Sequence, residues 1–185
     1  MKFLMISGNP KQDGLCASIE AAIKRGAEDA GASFDKLDVL QYLRCQVCNQ
    51  GWGTCREGHE CVLAPKDGFD KAQEQLRSAD AICMITPVYW GEMAEGLKCF
   101  VDRMRRCEFG SKALAGKYVL LVASPGGSGN GAVTCLDQMD RFCRHTGMTI
   151  FDYISINRWN HDYKERAAYE AAKAIASGRK HGETV

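Results

Sequence analysis

Proline is scarce, with four in 185 residues, and no apolar run approaches the roughly 20 residues that a membrane helix needs. A membrane partner is not expected. Neither sign of charge dominates: 24 Lys and Arg stand against 23 Asp and Glu, for a formal net charge of +1. No electrostatic footprint therefore calls for nucleic acid. His59, His145, His161 and His181, the four histidines, show no paired spacing of a metal or acid–base site. Neither a Walker A loop nor G-x-G-x-x-G occurs, which removes two common nucleotide signatures. Met1 to Ile6 is apolar but too short for a signal-peptide core, so a cytoplasmic location is expected. Internal repeats, low-complexity tracts and linkers are also missing. The expectation is one domain over residues 1–185.

Cysteine, in contrast, is plentiful, with ten residues. Without a secretory signal, and with several cysteines inside apolar helix or strand patterns, reduced thiols or metal ligands are the expected state rather than a disulfide scaffold. Apolar runs alternate with helical periodicity along the chain. Strands are predicted at Phe3 to Ile6, Ser33 to Leu40, Ala81 to Thr86, Tyr118 to Ala123 and Met148 to Ile156. Helices are predicted at Cys16 to Ala30, Asp70 to Ser78, Glu95 to Arg106, Gly131 to His145 and Asp162 to Ser177. Such alternation requires parallel strands joined by right-handed crossovers, with helices covering both faces. The expected fold class is α/β, a flavodoxin-like doubly wound sheet of five parallel strands in the order 2-1-3-4-5. Its switch point lies between the first and third strands, whose following loops should form the ligand crevice. Residues 41–68 are the one connection long enough to be a specialised insertion.

Three loops carry the chemistry. Ser7, Gly8, Asn9, Pro10, Lys11, Gln12, Asp13, Gly14, Leu15 and Cys16 run from strand to helix. The helix N-terminus there offers free backbone N–H groups and roughly half a positive charge to a phosphate, and Lys11 adds a full charge. A plain strand-to-helix turn uses the same residue types. The second loop, Thr86-Pro87-Val88-Tyr89-Trp90-Gly91-Glu92-Met93, sets two aromatic residues at the C-terminal end of a buried strand, where a flat ligand would lie. A bland alternative has them filling core gaps. Four glycines in Ser124-Pro125-Gly126-Gly127-Ser128-Gly129-Asn130-Gly131 permit close backbone approach to a ligand or simply a mobile turn. Taken together, the loops after the first, third and fourth strands are what a mononucleotide with a flat tricyclic ring requires.

Over roughly Lys2 to Ile156 the sequence resembles the NADPH-dependent FMN reductase and iron-sulfur flavoprotein family. The strongest likeness runs from Ser78-Ala79-Asp80-Ala81 through Pro87-Val88-Tyr89-Trp90-Gly91 to Leu97-Lys98-Cys99-Phe100-Val101-Asp102-Arg103. The resemblance implies bound FMN. It implies that Ser7, Asn9, Lys11, Gly14, Leu15 and Cys16 hold the phosphate, that Pro87, Val88, Tyr89, Trp90 and Gly91 hold the ring and ribityl chain, and that Ser124, Gly126 and Gly127 line the ring's other edge. The family often carries Arg, Asn and Thr or Ser where this chain has Lys11, Leu15 and Cys16, which shifts phosphate binding toward backbone donors.

Cys45-Gln46-Val47-Cys48, Cys55 and Cys61 form a second constellation within residues 41–68. Four thiols there fit a [4Fe–4S] cluster, as the resemblance implies, a Cys₄ zinc site, or free thiols. Six residues separate Cys48 from Cys55, where the family's compact motif has two. Cys83, Cys99 and Cys143 fall in strand or helix patterns and read as buried structural thiols. Asp102-Arg103 and Arg105-Arg106 read as a solvated helix end, with a pyridine-nucleotide phosphate clamp as the alternative. Arg158-Trp159-Asn160-His161 borders either the ring or a subunit contact. The expected function is an NAD(P)H-dependent FMN reductase-like oxidoreductase that passes electrons to a small-molecule or protein acceptor. No catalytic side chain is expected, because the cofactor carries the chemistry. An iron-sulfur electron carrier and a zinc-binding, non-enzymatic interaction module are the alternatives. A homodimer or homotetramer is expected to complete the open crevice.

Overall fold

The computed structural model describes residues 1–181 except Leu43, Gln46, Val47, Gly51 and Trp52. The two spacers of the C-x₂-C pair, Gln46 and Val47, and two residues of the longer gap, Gly51 and Trp52, thus lie outside the described residues. The elements are β1 (Lys2–Ser7), α1 (Gly14–Asp29), β2 (Ser33–Asp38), α2 (Gly53–Gly58), α3 (Ala64–Asp67), α4 (Phe69–Ser78), β3 (Ala81–Tyr89), β4 (Glu92–Met93), α5 (Glu95–Glu108), β5 (Tyr118–Ser124), α6 (Ala132–Thr146), β6 (Thr149–Ser155) and α7 (His161–Ala176). The five long strands are parallel in the order β2-β1-β3-β5-β6. In chain order this is the expected 2-1-3-4-5, and it is the flavodoxin-like arrangement. The addition is β4, which pairs antiparallel with the end of β3.

Period-2 alternation divides the central strands between two cores. Leu4, Ile6, Ile82, Met84, Val119 and Leu121 face one cluster that includes Leu76, Leu97, Phe100, Met139 and Phe142. Phe3, Met5, Cys83, Ile85, Leu120 and Val122 face the other, with Ile19, Ile23, Ala168, Ala172 and Ile175. Both faces of the sheet are therefore covered, α4, α5 and α6 on one side and α1 and α7 on the other. Helix α1 earns its place through Ile19, Ala22, Ile23, Gly26 and Ala27, all on its buried face, the spacing of an amphipathic helix. Since β1 leads to α1 on one face and β3 leads to α5 on the opposite face, the chain diverges after these neighbouring strands. That divergence opens the crevice at the C-terminal edge.

The predicted loop at Thr86 to Met93 is corrected to a hairpin. β3 continues to Tyr89, with Pro87 still in register opposite Ser124, and Val88 and Tyr89 pair with Met93 and Glu92. Pro87 is tolerated because that stretch is the strand's exit rather than its middle. Trp90 and Gly91 form the two-residue turn, with φ of 54° and 84°, the positive values that a right-twisted hairpin favours. The long insertion holds short helices α2 and α3.

Candidate functional site

Ser7 and Asn9 anchor the first loop, at 1% and 5% exposure. Ser7 Oγ donates to Glu20 Oε1 at 2.5 Å and accepts the Asn9 backbone N–H at 3.1 Å. Asn9 Oδ1 in turn accepts the Lys11 N–H at 3.1 Å, and Gly8 N–H is bonded to Ile85 O on β3 at 2.9 Å. This sequence of bonds leaves Asn9 Nδ2 buried without a partner among the described residues. A buried donor left unmade costs about 1–3 kcal/mol. Immediately downstream, Asp13 at the α1 N-cap makes no side-chain cap bond, and no acidic residue lies in the first turn. An uncapped helix start beside an unused buried donor fits an anionic oxygen group such as phosphate.

Gly14 is exposed, Leu15 is half-buried against the core and Cys16 is buried. Burial, reinforced by the nearby Glu20 charge, pushes the Cys16 thiol up to about 12. Its side chain is core, so only its backbone remains for a phosphate role. Lys11 is exposed at the loop surface. Glu20 was not legible as a site residue, although it occurs one turn after Cys16 on a face otherwise apolar. A charge on that stripe was the available signal.

At the second loop, Tyr89 is 47% exposed and Trp90 fully so, which discards the alternative that they fill core gaps. Thr86 Oγ1 accepts the Ala94 N–H at 3.0 Å and fixes the hairpin's exit into α5. In the third loop Ser124 is buried and Gly126 exposed, and Arg158 Nε donates to Gly126 O at 3.0 Å. The segment after β6 thus borders the glycine loop. Ser7, Asn9, the hairpin and the glycine loop lie at the same C-terminal sheet edge, on adjacent strands β1, β3 and β5.

The cysteine constellation lies apart from these loops, against α5. Cys45, Cys48, Cys55 and Cys61 line one pocket, together with Arg44, Arg103, Arg106 and a fifth thiol, Cys107. Arg103 is a correction to the solvated-end reading. It is 2% exposed, grips Asp67 through Nη1 at 2.5 Å and Nη2 at 3.3 Å, lies 4.0 Å from the Phe69 ring centroid, and donates to Cys61 Sγ at 3.3 Å. Hydrogen bonds from Cys107, the Leu63 backbone and Arg103 hold the Cys61 thiol down to about 5, against an opposing contribution from burial. Its donor Cys107 is pushed far up. Cys107 was missed in the sequence although it continues the buried α5 face of Phe100 and Met104. Cys83 and Cys143 are buried and Cys99 half-buried. The donor set suits a soft metal or cluster, but no group of three or more His, Cys, Asp or Glu among the described residues stands close enough to hold a metal ion. Of the proposed clamp, Asp102 pairs with Lys98 at 2.5 Å, Arg105 donates to His145 Nδ1 at 2.9 Å, and Arg106 faces the thiols. Asp102, Arg105 and Arg106 line one pocket with Arg44, whereas Arg103 is withdrawn into the core.

The family model for NADPH-dependent FMN reductase matches residues 1–161. The chain belongs to the NADPH-dependent FMN reductase family. The chain is similar to an iron-sulfur flavoprotein of Methanosarcina thermophila, 33% identical over 136 residues that cover 71% of this chain and 66% of that protein. An iron-sulfur flavoprotein of Archaeoglobus fulgidus is 29% identical over 119 residues, covering 64% of this chain and 51% of that protein. The match thus spans about half to two thirds of these relatives' length. Among solved structures, an NADH:FMN oxidoreductase in its apo form superposes with a TM-score of 0.70 at 19% identity, covering 97% of this chain and 90% of the other. At that identity the likeness shows the fold alone. For a member of the FMN reductase family, the switch-point crevice is the region where that fold places its ligand edge.

Proposed function

We propose that the chain is an FMN-dependent oxidoreductase that takes hydride from NADH or NADPH and passes electrons to a small-molecule or protein acceptor. The observation that carries this reading is the buried, unpartnered Asn9 Nδ2 beside the uncapped start of α1. Asn9 Nδ2 and the first-turn N–H groups of Gly14, Leu15 and Cys16 are the phosphate donors, with Lys11 adding charge from the surface. Pro87, Val88, Tyr89, Trp90 and Gly91 flank the ring on one side and Ser124, Gly126 and Gly127 on the other. FMN, when bound, supplies the hydride-accepting chemistry. The chain's residues orient the ring and limit its exposure to water, and backbone donors of the glycine loop set its polar surroundings. Trp90, Val133 and Trp159 are exposed along this edge, which supports a second copy covering the crevice in a homodimer or homotetramer. Mass spectrometry of heat-released cofactor should give FMN, and the loaded protein should oxidise NADH or NADPH. FAD as the released ligand, or no flavin after reconstitution, overturns the reading.

A second reading, an iron-sulfur flavoprotein that carries electrons between FMN and a cluster, is favoured by five thiols lining one pocket. Cys45, Cys48, Cys55 and Cys61 are its proposed ligands, supported by the names of the relatives.

A further inference from the structure

Four bonds that link Ser7, Glu20, Lys36, Asn9 and Lys11 are directional. Glu20, 8% exposed, accepts the Ser7 hydroxyl at Oε1 and Lys36 Nζ at Oε2, 2.6 Å away. With its proton committed to Glu20, Ser7 Oγ can only accept from the Asn9 backbone N–H. The Lys11 N–H demands an oxygen and so fixes which end of the Asn9 amide faces it. The opposite end is therefore Nδ2, the buried donor without a partner. Ser7 Oγ has two lone pairs and accepts the Asn9 N–H whichever way its own proton points, so what the bond to Glu20 fixes is the place of the Ser7 side chain and, through it, the Asn9 backbone.

We propose that Glu20, anchored across the sheet edge by Lys36 on β2, is a positioning residue that acts through Ser7 to hold the Asn9 backbone where Nδ2, turned away from the Lys11 N–H, donates to the FMN phosphate. The inference rests on the phosphate-loop reading above and deepens it. Helix α1 carries Glu20 under the loop that α1 itself begins, while Lys36 stands opposite Met5 on β1. Phosphate selectivity is thereby built from a carboxylate that never touches the ligand. This also suits a loop in which Leu15 and Cys16 bring no side-chain donor to the phosphate.

The test compares FMN with riboflavin, which lacks the phosphate, in fluorescence titrations of the full chain. In Glu20→Gln the new amide turns its oxygen to Lys36 and its NH₂ to Ser7 Oγ, so the Ser7 hydroxyl loses its charged acceptor and the anchor of the Asn9 backbone loosens. The preference for FMN over riboflavin should fall by about ten-fold, as for a hydrogen bond to a charged group, while riboflavin affinity changes little. In an Asn9→Ala background the same substitution should have no further effect on that preference, because both act through one donor. Lys36→Met, at a side chain 37% exposed, should lower the preference in the same direction and decides the matter if Glu20→Gln does not fold. Lys24→Met, which removes a surface pair with Glu28 on α1, is the control and should change neither affinity. A wild-type chain that binds FMN no better than riboflavin overturns the phosphate-loop reading and this inference with it. A selective wild type whose variants keep their selectivity, or lose FMN and riboflavin equally, overturns the role of Glu20 alone.

Discussion

Gly91 and Gly131 meet backbone to backbone: a Cβ on Gly131 would lie 2.4 Å from Gly91 Cα. Both have positive φ, 84° and 79°, where L side chains are strained, and at Gly131 there is also no room for one. The contact clamps the β3–β4 hairpin to the start of α6, and with it the aromatic loop to the glycine loop.

Gly131→Ala should therefore displace the hairpin as well as strain its own backbone. The left-handed conformation alone costs about 1–2 kcal/mol, and overlap with Gly91 adds to it. Chemical denaturation should show at least that loss, and FMN affinity should fall because two of the three loops lose their mutual support. A variant with wild-type stability would mean that the contact is not formed in solution.

Trp90→Gly tests the hairpin with opposite signs for stability and binding. Trp90 holds φ of 54° while fully exposed, so it bears a left-handed backbone cost with no burial to offset it. Glycine should stabilise the chain by about 1 kcal/mol. Loss of aromatic contact at the ring edge should weaken FMN binding several-fold, on the order of 1 kcal/mol. A thermal melt and a flavin titration of the same variant read both effects. Unchanged FMN affinity would remove Trp90 from the site.

The course of the backbone was legible because parallel strands buried on both faces write continuous apolar runs, as in Ala81 to Ile85 and Val119 to Ala123. The switch point followed from their order. Less legible was anything decided by pairing at the strand exit: Thr86 to Met93 looks like a loop because Pro87 and Gly91 punctuate it, yet a two-residue turn returns the chain as β4. Charge was the other blind spot. Arg103 stands beside Asp102, Arg105 and Arg106 in sequence, but helical geometry turns it inward to Asp67 and Phe69. Glu20 and Lys36 are far apart in the chain, and their pairing depends on the β1–β2 register. The Ser7 and Asn9 assignments came from the family resemblance, and their bonding order emerged only from three-dimensional contacts.

Arg103→Met should be among the more destabilising single changes. The buried guanidinium is paired with Asp67, whose side chain is 8% exposed, and removing one member of a buried ion pair typically costs about 3–5 kcal/mol. Urea titration should show a loss of that size. The variant should also raise the pH at which Cys61 ionises, since one of its donors is gone. A loss below about 1 kcal/mol would mean that water reaches the pair.

Metal-free protein should alkylate first at Cys61. Its folded value near 5 lies below the free-thiol range, so stability contributed by the thiolate is complete above that range and drains as pH falls through about 5. At about pH 6.5 iodoacetamide should label Cys61 while Cys16 and Cys135, both pushed up to about 12 by burial, stay unmodified. Peptide mapping checks the order. Equal labelling of all accessible thiols would show that the Arg103 and Cys107 hydrogen bonds do not persist in solution.

The cysteine pocket and the flavin loops should be separable by mutation. Cys45, Cys48, Cys55 and Cys61 belong to the connection between β2 and α4, whereas the proposed FMN contacts follow β1, β3 and β5. Anaerobic reconstitution with iron and sulfide should yield broad visible absorption and about four irons per chain if all four thiolates ligate one cluster. Cys48→Ala should abolish that iron while leaving the FMN titration unchanged. Cys107→Ala sharpens the test, because this fifth thiol lines the same pocket: iron retained in Cys107→Ala but lost in Cys61→Ala assigns Cys61 as the fourth ligand, and the reverse pattern assigns Cys107. Stoichiometric zinc without iron, or four titratable thiols after reconstitution, rejects the cluster. Loss of iron and FMN together in Cys48→Ala would instead make the insertion a structural support of the flavin crevice.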